Sequence, residues 1–265
     1  MLASNYYSFT VEGTGPTNGS ATITVTFTKA IHDPAFGVGM LSEGNISIHG
    51  NANVVGGMHA NGSVSQTGGG GDIDGPVSAV GTISSGSCNA DCTASPSADR
   101  IDVPLIENAM FDEWRTKSQT APNVYAFDPC TYSDPGPGNI YFCDGDLDFS
   151  NNLSSAESDV TIIATGNITA RGSAIKKTDG KIGLALIAGG NIDFRGGGGA
   201  VLNATIWCNG DYQQNGTGTV VGSIVAGGDI TRNGTFNFTQ DSNIDNENLP
   251  PGKECSVIAW RDLRN

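Results

Sequence analysis

Positive charge is scarce in this chain. Thirteen Lys and Arg stand against 27 Asp and Glu, a formal charge of -14. Phosphate backbones and anionic lipid headgroups are repelled at long range, so nucleic acid is not an expected partner. Charge of either sign is also sparse, at 15% of residues, which does not match the charge-rich composition of a disordered chain. No uninterrupted apolar run approaches the roughly 18 residues needed to cross a bilayer, so the segment itself is not expected to insert in a membrane. The opening "MLASNYYSF" has neither the basic nor the apolar region of a signal peptide. Only three histidines occur, His32, His49 and His59. A metal pair from His49 and His59 is one reading of them, and polar positions at the corners of a repeat are the plainer one.

Glycine is abundant, with 38 residues, and it is placed regularly. Ile46, Val54, Val64, Ile73 and Ile83 follow at intervals of 8, 10, 9 and 10, while Gly44, Gly62 and Gly81 sit 18 and 19 residues apart. The pattern returns later. Ala60-Asn61-Gly62-Ser63-Val64 has counterparts in Ala164-Thr165-Gly166-Asn167-Ile168, Ala188-Gly189-Gly190-Asn191-Ile192, Cys208-Asn209-Gly210-Asp211-Tyr212 and Ala226-Gly227-Gly228-Asp229-Ile230. A period of this size marks a solenoid, and it predicts an all-β parallel β-helix with the motif stacked in one corner column and glycine supplying left-handed backbone there. Ile46, Val64 and Ile83 are expected to point inward. The competing arrangement is an antiparallel sandwich or barrel, whose turn signals recur every 8 to 12 residues.

The chain divides into five segments. Residues 1–30 alternate apolar and polar around a Gly-rich turn and predict a β-hairpin that caps the open end of the solenoid. Residues 31–86 form the first coils and 144–242 the second. Residues 87–143 are an insertion that clasps the solenoid's side. Within it, "DVPLIENAMFDEWRTKS" spaces Leu105, Ile106, Ala109, Met110 and Trp114 as a short amphipathic helix. Residues 243–265 are a tail ending in the strand "CSVIAW".

Six cysteines, Cys88, Cys92, Cys130, Cys143, Cys208 and Cys255, lack zinc-site spacing. Short-loop closure predicts the disulfides Cys88–Cys92 and Cys130–Cys143, which leaves Cys208 for Cys255. Disulfides imply an extracellular or cell-surface protein, with a signal or anchor segment expected upstream of the sequence given.

The stretches "EGNISIHGNANVVGGMHANGSVS", "GLALIAGGNIDFRG", "ATIWCNGDYQ" and "GSIVAGGDITRNG" resemble the extracellular part of PilX-like pilus-assembly proteins, relatives of the minor pilins of bacterial type IV pilus systems. The resemblance spans about Tyr7 to Thr239 and implies a prepilin-type apolar helix ahead of the β region. This sequence departs from that pattern by starting at the hairpin. The resemblance supplies no catalytic residues.

Asp144, Asp146 and Asp148 are the candidate metal ligands, three carboxylates at alternate positions that suit the hard-oxygen preference of Ca²⁺. The EF-hand pattern is not completed after them, so no cofactor is required and calcium is the one to test. No G-x-S-x-G elbow is present. The leading expectation is therefore a non-enzymatic structural or adhesive module of a pilus or envelope assembly, with other assembly proteins and surface glycans as partners. One alternative is a secreted polysaccharide-active enzyme. Another is a repetitive-face binder, such as an ice-binding or self-polymerising solenoid. Against it, Ser47, Ser65 and Ser84 are followed by the dissimilar Ile48, Gln66 and Ser85.

Overall fold

The computed structural model describes residues 4–14, 20–30, 33–68, 71–84, 92–149, 160–172, 184–241, 249 and 255–264. Two units are distinguished, 1–34 with 249–265, and 35–248.

The smaller unit is a three-stranded antiparallel sheet. Ser4–Thr14 pairs with Ser20–Ala30 in a register that sets Tyr7, Phe9 and Val11 opposite Phe27, Val25 and Ile23. Two strands alone are marginal in water. A third, Cys255–Arg264, adds to the other edge of Ser20–Ala30. The tail strand therefore joins the N-terminal hairpin.

The larger unit is a parallel β-solenoid with three faces per coil. In the coil that starts at Met40, Met40–Ser42 lies on face A, Ile46–His49 on face B and Ala52–Val55 on face C. The next coil repeats this at Met58–Ala60, Val64–Thr67 and Ile73–Asp74. Strands bury alternate residues, as in the pattern of Ile46 and Ile48 inward and Ser47 and His49 outward. The inward column of face B runs Leu147, Ile168, Ile192, Tyr212, Ile230, Ile46 and Val64, each at most 3% exposed. Ile83 ends the column and is half-buried.

The coils are not stacked in chain order. Along face A the sequence of strands is Val124–Phe127, Ile140–Asp144, Thr161–Ala164, Leu184–Ala188, residues 204–208 and residues 222–226. It then continues with Met40–Ser42, Met58–Ala60, Pro76–Ala79 and Thr93–Pro96. Within this unit the chain enters in mid-stack at Met40, climbs to one end, crosses the outside to the other end, and winds back to its point of entry. The segment 87–143 thus contributes three strands of the ladder besides the crossing.

The crossing carries helix α1, Asn108–Ser118, which buries Phe111, Trp114 and Ser118 along one side. Arg115 and Lys117 occupy its last turn, where the macrodipole favours cations. The crossing covers the outward side of face A. Trp207 Nε1 donates to the Pro104 carbonyl at 2.8 Å, and Asn209 brackets Ile106 through both of its backbone groups. Trp207 is fully buried between Phe36 and Trp114, with ring centroids 5.5 and 6.3 Å away. Faces B and C keep their outward rows exposed or half-exposed.

Cys130 and Cys143 are joined by a disulfide, and Cys92 is also disulfide-bonded; Cys88 lies outside the described residues. The expected Cys208–Cys255 bridge is corrected by the structure. Cys208 is a free thiol in the apolar core, fully buried, its Sγ donating to the Gly210 carbonyl at 3.3 Å. Spacing alone could not reveal this, because the residue occupies an inward position of the repeat.

Candidate functional site

The recurring Gly-Asn/Asp pair forms one corner column. Asp146 Oδ1 accepts the backbone N–H of Asn167 at 2.6 Å, and Asn167, Asn191 and Asp211 each do the same for the next coil at 2.8 Å. The column continues through Asp229 to Asn45 at 2.6 Å, Asn45 to Ser63 at 2.9 Å and Ser63 to Thr82 at 3.1 Å. Beside it the glycines form a backbone ladder, for example Gly210 N–H to Gly190 O at 3.0 Å and Gly44 N–H to Gly228 O at 3.1 Å. Left-handed backbone is not the reason for glycine here. A Cβ on Gly210 would lie 2.0 Å from Asn191 Oδ1, so the bridging side chain of the previous coil excludes any larger residue. Apart from Gly145 (φ +148°), left-handed glycines stand at other corners, as at Gly50 (φ +100°) and Gly234 (φ +109°).

This column absorbs one of the three candidate calcium ligands. Asp146 is a ladder member, also held by Asn167 Nδ2 at 3.1 Å. Asp144 faces the helix instead. It accepts from Arg115 Nη2 at 3.2 Å, Tyr125 Oη at 3.1 Å and Thr165 Oγ1 at 3.3 Å. Partial burial acts to raise its pKa, but these donors outweigh it and hold the carboxyl below its usual range. Asp148 is exposed on face B. Among the described residues no group of three or more His, Cys, Asp or Glu is placed to hold a metal ion.

The histidines separate too. His49 lies on face B, bonded to Thr67 Oγ1 in the next coil. His59 is 1% exposed on face A, between Ser78 Oγ at 2.7 Å and Asn61 Oδ1 at 3.1 Å. Asn61 in turn bonds Glu43 and both backbone groups of Ile101. Serine, imidazole and amide stand in the order a hydrolase would use, but the imidazole is closed off from solvent and the network fastens the crossing segment to face A. His32 lies outside the described residues.

Face B is one of the two faces whose outward rows are open to solvent. Its outward rows read Thr169, Asp193, Gln213, Thr231, Ser47, Ser65 and Ser84 in register, beside Arg195, Asn215, Asn233, His49 and Thr67. Neighbours in a row stand about 4.8 Å apart and the two rows about 7 Å apart. They are tied laterally by Asn233 Nδ2 to Asn215 Oδ1 at 2.9 Å and Ser65 Oγ to Ser47 Oγ at 3.3 Å. Ile48 and Gln66, whose dissimilarity argued against a repetitive face, point into the core at 0% and 6% exposure. Of these pairs it is the serines that face outward, Ser47 and Ser65 half-buried and Ser84 exposed.

The architecture is that of a parallel β-solenoid flanked by one helix. No family model matches the chain, and no curated protein matches it. Among solved structures it is similar to the competence-associated pilin ComZ from Thermus thermophilus, at 11% identity and a TM-score of 0.46, covering 97% of this chain and 80% of that one. It is also similar to the DUF3494 domain of ice-binding protein_1 from Shewanella frigidimarina, at 13% identity and a TM-score of 0.41, covering 80% of this chain and 99% of that one. Both are loose likenesses of shape. No helix among the described residues is long and apolar enough to cross a membrane.

Proposed function

We propose that this chain is a non-enzymatic structural or adhesive module, displayed outside the cell on a type IV pilus or envelope assembly. The observation that carries this is face B, a polar surface of in-register rows with lateral hydrogen bonds, on a different face of the coil from the helix-covered face A. The disulfide supports export, since such bonds persist in oxidising compartments. The PilX-like likeness rests on the sequence motifs alone. Partners are other assembly proteins, with surface glycans as a second class. The test is immunogold labelling of sheared surface appendages from cells that make the protein. Label along the appendages is expected, and label confined to the cytosol would overturn the reading.

A second reading is favoured by the Ser47, Ser65 and Ser84 row: a repetitive face that binds a periodic surface such as ice. Inhibition of ice recrystallisation by the isolated protein, abolished by Ser65→Tyr, would move weight to it.

A further inference from the structure

Because the stack departs from chain order, one of its junctions has no chain running through it. Coils from residues 40–96 and coils from 124–241 meet where Met40–Ser42, Ile46–His49 and Ala52–Val55 pair with residues 224–226, 230–233 and 236–239. We propose that this seam opens, and that a second copy of this chain closes it by exchanging the 40–96 block between two molecules.

Two independent observations support this. The first is topological. Every bond across the seam joins segments remote in sequence, such as Asn45 to Asp229 and Asn53 Nδ2 to Asn237 Oδ1 at 3.1 Å. The blocks are connected only by residues 97–123, which lie outside face A rather than in the seam. The seam bonds are therefore the same whichever copy supplies the block, which is the condition for exchange of an identical element.

The second observation is Arg232. It is the only buried Lys or Arg among the residues whose side chains are described, 1% exposed, and it stands in register with Ile48 across the seam. None of its three guanidinium nitrogens has a hydrogen-bond partner. Its guanidinium lies 3.3 Å from the centroid of the Phe236 ring. The nearby Gln214 offers little, since its Oε1 already accepts from Tyr212 Oη at 2.8 Å. A buried cation without an acceptor opposes closure. Opening the seam makes the Arg232 coil an end coil and lets the guanidinium reach water, so the weakest junction is the one that no chain bridges.

The test mixes two full-length single variants, Asn53→Cys and Asn237→Cys, at high concentration with mild warming, followed by oxidation. Within a closed monomer the two introduced thiols are on different chains and do not meet. Across an exchanged seam they are register partners at disulfide distance. Cross-linked heterodimer is expected well above the homodimers each variant forms alone, and it should fall several-fold when both chains also carry Arg232→Met. Hydrogen exchange on the unaltered protein gives an independent reading, with residues 46–55 and 230–240 exchanging faster than 161–164 and 185–188. Absence of excess heterodimer, insensitivity to Arg232→Met, or seam strands as protected as interior ones would each overturn the proposal.

Discussion

Asp229 accepts the backbone N–H of Asn45 across 184 positions of sequence, at the same 2.6 Å that Asp146 keeps to Asn167 one coil along the chain. The corner column does not register whether consecutive coils are covalently consecutive. It asks only for an acceptor side chain over a glycine, and this is why a solenoid entered in mid-stack can close on itself.

Replacing that acceptor should be graded by chemistry. Asp229→Asn keeps an oxygen over the Asn45 N–H and should leave the urea midpoint nearly unchanged. Asp229→Ala removes it and should cost about 1 kcal/mol. Gly210→Ala should cost more, about 1–3 kcal/mol, because the new Cβ meets the Asn191 carbonyl oxygen at 2.0 Å.

Arg232→Met should raise the melting temperature, since an unpaired buried cation is replaced by an apolar chain of similar length, with a gain of about 1–4 kcal/mol. Burial lowers the Arg232 pKa to about 9, with Tyr212 opposing the shift. Below that value both folded and unfolded forms carry the charge and the penalty is complete; above it the folded form sheds the proton first and the wild type gains stability. The advantage of Arg232→Met should therefore shrink between pH 8 and 10.5. A constant difference would show that the buried guanidinium keeps its proton throughout this range.

The Arg115–Asp144 pair pins α1 to the solenoid, and the donors around Asp144 lower its folded pKa. A lowered carboxyl pKa gives stability that is complete above the unfolded value, near 3.9, and is lost as pH falls through the folded value. Amide exchange across Asn108–Ser118, corrected for intrinsic rate, should be flat from pH 7 to 5 and rise below about pH 4. Asp144→Asn should remove that step.

Thiol mapping separates the cysteines. Cys208 should resist alkylation in the native protein and react on denaturation without reductant, whereas Cys130 and Cys143 should react only after reduction. Labelling of Cys208 in the folded state would contradict its burial.

Millimolar Ca²⁺ should shift the melting temperature only slightly, and equally in Asp146→Asn, because Asp146 and Asp144 already serve as acceptors within the fold. A large rise abolished by Asp146→Asn would establish a site.

Much of the solenoid was legible in the sequence. The Gly-Asn/Asp-apolar motif marked a corner column and the inward Ile46 and Val64, because a solenoid repeats its local constraints once per coil. The helix was legible, but its buried face was not: Phe111 joins Trp114 inside, Ala109 is exposed, and Leu105 and Ile106 precede the first turn. Other features were not. Cys208 occupies the same inward position as Ala60 and Ala226, and a pairing argument from spacing cannot see that a residue faces the core. The Ser47, Ser65 and Ser84 row was hidden behind Ile48 and Gln66 until the strands fixed which side each faced.

The sequence by itself determined the kind of coil: its period, its glycine corner and its apolar interior are properties of local spacing, repeated from coil to coil. Only the tertiary structure decided the order in which coils stack. Each coil presents nearly the same ladder of N–H, carbonyl and Asn/Asp groups above and below, so local chemistry permits many orders. The crossing segment, fixed to face A by Trp207, Asn209 and Asp144, sets the one in which residue 40 rests on residue 224.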